Sequence, residues 1–251
     1  MNSQKSVFTK RYPQLLIGLG LLSLSLVTST WIGATALRDV KKANDVFMVT
    51  GSAKRPIRSD YIILRLNLSS QKPTAPEAFQ DLKRQSDRLQ SYLKENQVPE
   101  TAITVNAIET TTIPEVTDNG RETGKTLAYR LGQRWEIRSN DVDRYSKLAQ
   151  QSTELINEGV NLVVDPPQYL YTQLSQLRIE MVAEATKDAK ARAEAIAKNT
   201  NSQVGAVRSA QTGVFQITSR NSTEVSDMGT YDTSSIDKDI TAVVSISFSM
   251  K

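Results

Sequence analysis

Residues Leu174 to Thr200 read LSQLRIEMVAEATKDAKARAEAIAKNT, the longest uninterrupted helical pattern beyond the apolar N-terminus. The run has no Gly or Pro, and seven of the fifteen residues from Ala183 to Ala197 are alanine. At about 100° per residue, Leu174, Leu177, Met181, Val182, Ala185, Ala189, Ala193 and Ile196 share one half of the helical wheel. Glu180, Glu184, Lys187, Lys190 and Glu194 fall on the other half. A face that is apolar and mostly small lets a sheet or second helix approach closely, so this is a packing helix around which the fold is arranged. Arg178 and Arg192 fall inside the apolar half, and Asp188 stands on its rim one turn before Arg192. A guanidinium there either snorkels to the edge or meets a carboxylate of another element or subunit. The second option makes Arg178, Asp188 and Arg192 a candidate interface in a homo-oligomer.

Working outward, the flanking segments alternate as strands do. Before the helix, Val46–Ala53 and Tyr61–Ser69 read as strands separated by a turn-like KRPIRSD, and Ile62, Leu64, Leu66 and Leu68 mark one apolar face. Thr74-Ala75-Pro76-Glu77 offers a capping box for a helix of about twenty residues, with Phe79, Leu82, Ser86, Leu89 and Leu93 at helical spacing. Ile103–Glu115 and Thr126–Arg138 form a hairpin around the polar loop TDNGRETGK, with Leu127, Tyr129, Leu131, Trp135 and Ile137 facing one way. Arg130, Arg134, Glu136 and Arg138 face the other way, as on the wet side of a one-sided sheet, paired with residues such as Glu109. Asn140 or Asp141 caps the next helix, and Gly159 closes it. Asp165-Pro166-Pro167 interrupts a strand over Leu162–Leu170, which belongs at a sheet edge because proline donates nothing to a ladder.

After the long helix come strand material from Val204 to Ser219, a polar loop, and the alternating terminal strand Asp239–Met250. The order, roughly ββαββαβαββ, has no repeated βαβ rhythm. It predicts an α+β fold with helices against antiparallel sheets, over residues 46–251.

The N-terminus adds an address. Residues 1–13 form a short basic tail, and Gln14–Leu37 runs 24 residues without a charge, enough to cross a hydrocarbon core of about 30 Å. Residues 38–45 then read as a linker. A retained anchor is favoured over a cleaved signal peptide, since the apolar run exceeds the ~7–15 residues of a signal core, although Ala34-Thr35-Ala36 has the look of a cleavage site. The expected placement is a single-pass inner (plasma) membrane protein whose C-terminal domain faces the periplasm or cell exterior. Residues 1–42 hold six basic residues against one acidic, and the remainder holds 25 against 26. The basic excess therefore sits at the membrane flank and does not support nucleic-acid binding.

The chain has no Cys and no His, which excludes disulfides, thiolate nucleophiles, His general bases and His/Cys zinc sites. Gly120–Thr126 approaches a phosphate loop, but it has three residues between its glycines where four are needed, and it precedes a strand. Ser91-Tyr92-Leu93-Lys94 and Ser235-Ile236-Asp237-Lys238 match a Ser-x-x-Lys spacing without its companion motifs. No catalytic residue, cofactor or metal ligand is assigned.

Val49-Thr50-Gly51, Ser59-Asp60, Ala128-Tyr129-Arg130, the Asp188-Ala189-Lys190-Ala191-Arg192-Ala193 run with Ala185 and Ala197, Gly205 and the terminal strand resemble, in order, the SIMPL domain family. Gly51-Ser52-Ala53 and Asn201-Ser202 depart from the glycine positions usual in that family. The resemblance implies an exported envelope protein without established catalytic residues. Some bacterial members are linked to oxidative-stress tolerance, and a relative forms a ring-like oligomer. The leading expectation is a membrane-anchored, non-catalytic oligomeric scaffold or partner-binding protein. The competing one is an exported hydrolase that uses Ser/Lys or carboxylates without His.

Overall fold

The computed structural model describes residues 13–43 and 46–250. The basic tail as far as residue 12 and part of the expected linker, residues 44 and 45, lie outside the described residues. Helix α1 (Pro13–Ala43) contains an exposed apolar span, Ile17–Ala34, long and apolar enough to serve as a membrane anchor or a signal sequence. Ser23, Ser25, Thr28 and Thr30 donate their hydroxyls to carbonyls three or four residues back, at 2.6–3.0 Å, so polar side chains sit in this span with their donors satisfied. The helix continues through residues 38–43, the first part of the stretch expected as linker.

The rest is α+β, as expected. Two compact units are formed: residues to Gly51 with Thr186–Gln211 and Val244 onward, and Ser52–Ala185 with Thr212–Val243.

The larger unit contains a six-stranded antiparallel sheet. Its spine is β2 (Tyr61–Lys72) paired with β5 (Glu122–Ser139), with Leu64 opposite Ile137 and Leu66 opposite Trp135. β3 (Ile103–Val105) and β4 (Glu109–Val116) pair with β5, and β6 (Leu162–Val164) and β7 (Gln168–Leu170) pair with β2. Ile62, Leu64, Leu66 and Leu68 are at most 1% exposed, the period-2 burial that their alternation predicts. α2 (Ala75–Glu95) covers β2 and β5, burying Ala78, Leu82, Gln85, Leu89 and Leu93. Full burial of each leucine contributes about 1.5–3 kcal/mol. The Glu77 amide donates to Thr74 Oγ1, the expected cap. α3 (Val142–Gln151) is capped by Asp141, which accepts from the Arg144 amide at 3.2 Å. The 3₁₀ turn after it ends at Gly159, whose φ of 81° favours glycine. Asp165-Pro166-Pro167 separates β6 from β7 at the sheet edge, as predicted.

The second sheet runs in the order β1 (Val46–Arg58), β11 (Asp237–Met250), β9 (Gln216–Ser219), β10 (Thr230–Tyr231), with β8 (Val204–Thr212) also on β11. In the smaller unit, Val49, Val244, Ile246 and Phe248 are buried, and the Phe47 and Phe248 rings lie 5.9 Å apart. In the larger unit, Ile217, Ile240 and Ala242 are buried.

α4 (Leu174–Asn199) buries Leu177, Met181, Ala185, Ala189, Ala193 and Ala197, one residue in every four. The buried face is thus a single i, i+4 ridge and narrower than the expected half. Ile196 is 44% exposed, and Ala197 takes the buried place.

Other details differ. β1 continues through KRPIR, because an edge strand tolerates Pro56 where a central strand would not. The arm expected from Ile103 to Glu115 is interrupted at residues 106–108, with a register shift at Pro114. The connecting turn is only Thr117–Arg121, and β5 begins at Glu122. Phe79 and Leu127 are 47% and 57% exposed, because Ala78 takes the inward place on α2 and Leu127 is the residue passed over where the register shifts from Ile113 opposite Ala128 to Pro114 opposite Thr126.

Candidate functional site

α4 does not bury its arginines. Arg178 lies with its guanidinium 5.6 Å from the centre of the Phe215 ring, and Arg192 Nε meets Asp188 Oδ2 at 2.8 Å across one helical turn. Both arginines lie off the buried ridge. An exposed i, i+4 pair is worth about 0.3–0.5 kcal/mol and needs no partner subunit to satisfy it. Glu180 and Glu184 converge on Arg55 of β1, which keeps the Glu180 carboxyl below its usual range. The outer face of β5 is also internally paired. Arg134 donates to Asn67, Arg130 to Gln71, and Glu136 lies between Arg65 and Arg138. Glu109 stands opposite Gly132 and not opposite an arginine.

The Ser-x-x-Lys pairs are occupied differently. Ser91 Oγ, on α2, donates to its own helix at Asp87 O, 3.0 Å away. Ser235 Oγ donates to the Asp232 carboxylate. Lys238, 0% exposed, donates to Tyr169 O at 2.6 Å and to Asp232 O, with the Tyr231 ring centre 5.8 Å away. Desolvation lowers the Lys238 pKa, and the Asp232 charge opposes that shift. Desolvation pushes Asp232 up, but hydrogen bonds from Ser235 and Ser234 and the Lys238 charge outweigh it and hold the carboxyl below its usual range. Around this lysine the chain is stitched by Ser59 N–H to Ile236 O and Tyr169 N–H to Thr233 O, at 2.9 and 2.8 Å. The arrangement is a clamp that fixes residues 231–237 against the start of β2 and against β7. The Gly120–Thr126 run forms the end of the hairpin turn and the start of β5, with Gly120 and Gly124 at φ of 74° and 79°.

A cleft of about 500 Å³ opens at the C-terminal end of α2. Gln90, Ser91 and Lys94 of α2 form one wall, and Val98 and Glu100 of the following turn form another. The floor comes from β3 and β5. Val105 stands directly opposite Trp135 in the ladder, so both side chains occupy one face, with Ile103 beside them. Trp135 is 5% exposed, and its Nε1 has no hydrogen-bond partner. Sequence reading placed Trp135 on the inward face but missed this donor, because the surroundings of the indole come from α2 and the turn after it.

An apolar N-terminal helix followed by an α+β body with antiparallel sheets defines the class. The chain belongs to the SIMPL family, described as "protein of unknown function (DUF541)", whose match covers residues 47–248. No curated protein matches the chain.

Proposed function

We propose that the protein acts without catalysis, as an envelope protein tethered by α1 whose SIMPL domain self-assembles or binds a protein partner. The observation that carries this reading is the outer face of the sheet in the smaller unit. Thr50 Oγ1 lies 3.2 Å from Ser245 Oγ, and a Cβ on Gly205 would meet Ser249, so β1, β11 and β8 share this face. Alternation then places Val46, Met48 and Val207 on it, exposed by 50%, 70% and 57%, around the small residues of β11. Apolar side chains flanking a floor of serines suit a flat partner surface better than a substrate. Val46 follows Ala34, the end of the apolar span, by twelve positions, a reach of at most about 40 Å. A retained anchor therefore keeps this face close to the membrane. In this reading the C-terminal domain faces the periplasm or exterior, the Asp188 and Arg192 side chains of α4 supply a charged contact to a partner separate from that face, and Arg178 supplies another on the larger unit. Any role in oxidative-stress tolerance follows from assembly.

The test is native mass and negative-stain imaging of the full chain in detergent, for wild type and the double variant Met48→Lys, Val207→Lys. A discrete assembly, or a co-purified partner that the double variant loses, supports the reading. A wild-type monomer without partner, or an assembly unchanged by both lysines, sinks it. Arg192→Glu tests the charged contacts separately.

A further inference from the structure

We propose that the depression over Gly132, on the outer face of the larger unit's sheet, binds a small zwitterion, a short amino acid whose carboxylate meets Arg134 and whose ammonium meets Glu109. The inference goes beyond the assembly proposed above and does not depend on it. It starts from the glycine. Gly132 lies within β5, and a glycine inside a strand weakens it and often marks a bulge or the close approach of a ligand or another backbone. The register with β2 runs through Ser69 opposite Gly132 without a bulge. A Cβ at this position would meet only Leu68 O, at an ordinary 3.8 Å, and the residue is not among the glycines with positive φ. Neither packing nor backbone conformation therefore calls for glycine, and what its use provides is space. That space is a depression of about 200 Å³, the liquid volume of about seven waters at roughly 30 Å³ each, which suits a ligand of a few heavy atoms. Ala107 lines it beside Gly132, so the methylenes of a short chain have apolar surface to lie on. Glu109 and Arg134 supply its charges. Glu109 stands opposite Gly132, and Arg134 is two residues along β5 on the same face, a diagonal relation that separates the two positions by about 7–8 Å. Both residues are exposed, so a ligand in the depression can reach them. Elsewhere on this face Arg65 and Arg138 share the Glu136 carboxylate, at 2.8 and 2.6 Å. Arg134 instead donates Nε to a neutral amide, Asn67 Oδ1, at 3.1 Å, and among the described residues neither Arg134 nor Glu109 makes an ion pair. One cation and one anion, unpaired and lining one depression, complement a ligand that carries both charges, whose carboxylate would take the remaining guanidinium N–H groups. A direct Glu109–Arg134 ion pair is the competing use of these groups.

The two uses separate in solution. The full chain is placed in phosphatidylcholine nanodiscs, with empty nanodiscs as the blank, and binding is read by ligand-observed saturation-transfer NMR. The probes are 4-aminobutyrate, butyrate and butylamine, which share a four-carbon chain and carry both charges, the negative one or the positive one. 4-Aminobutyrate is expected to bind saturably and about tenfold more tightly than either of the others, the worth of one charged hydrogen bond. Arg134→Gln should lower it to the level of butylamine, and Glu109→Gln to that of butyrate. Gly132→Val fills the depression with a residue suited to a strand, and should abolish binding without lowering Tm. Equal binding of the three probes, no binding of any, or binding that survives Gly132→Val overturns the proposal and leaves the direct ion pair as the use of these groups. The comparison among probes needs no substitution, so the test stands even if a variant folds poorly.

Discussion

Replacing Lys238 by methionine tests whether this lysine is a structural clamp or a reactive amine. Methionine keeps most of the length of the side chain and removes its donors. The carbonyls of Tyr169 and Asp232, which Lys238 now satisfies, are left without that donor, at about 1–3 kcal/mol each. Part of this loss is offset because an ammonium no longer has to be buried. A net destabilisation of about 2–4 kcal/mol follows, or roughly 4–16 °C in Tm for a domain of this size. The pH dependence carries a second signature. Desolvation places the folded-state pKa of Lys238 below its unfolded value. Between the two the unfolded chain binds more protons, so the contribution of Lys238 grows as pH rises toward about 10.5. Thermal unfolding of the full chain, followed by circular dichroism from pH 7 to 10, should show a gap between wild type and Lys238→Met that widens with pH. A variant that melts within about 1 °C of wild type, or a gap that narrows with pH, refutes the clamp.

Two further outcomes are expected. A Cβ at position 205 would lie 2.8 Å from Ser249 O as well as against its hydroxyl, so Gly205→Ala should cost about 1–3 kcal/mol in denaturant titration. Adding Ser249→Gly should restore only part of that, because the carbonyl remains in the way. At acid pH, Asp239 is the carboxylate to follow. Its desolvation pushes the pKa up, but hydrogen bonds from Lys54 and the Asn221 amide and the charges of Lys54 and Arg220 hold it below the usual range. Its stabilisation is present above pH about 4 and is lost as pH falls through the lower folded value. Asp239→Asn should therefore reduce stability at pH 7 and flatten its decline between about pH 4 and 2, as measured by chemical denaturation.

What the sequence made legible was local. Thr74 as a cap, Gly159 as a helix stop and the two prolines between β6 and β7 each act on their own backbone neighbourhood. The alternation of Ile62 to Leu68 fixed a buried face for the same reason, because the period of a strand is set by its geometry. Where the outcome depended on neighbours remote in sequence, the reading was less specific. Pro56 was read as a turn, yet its tolerance in β1 depends on that strand being an edge. The wheel for α4 assigned a half, whereas what is laid against a helix decides how much of that half is covered. Arg178 found Phe215, 37 positions away, which no local pattern announces. Lys238 stood in a segment read as polar loop running into strand, and its complete burial comes from β7 and the Asp232 turn around it. The cleft was equally hidden, since its walls come from α2, the following turn and two strands.

The ridge on α4 bears on how such a domain changes over time. Six of its 26 residues are buried, and four of the six are alanine. A position buried as alanine admits little besides glycine or serine without pushing its neighbours apart. Most of the other twenty positions face solvent and, away from Arg178, Glu180 and Glu184 with their partners, accept most side chains at a cost within about 0.5 kcal/mol. Fold and surface are therefore encoded in separate letters of the same helix. A lineage can rewrite the charges of α4, and with them whatever the helix meets, while the spacing of its alanines stays as the part of the text that drift is slowest to erase.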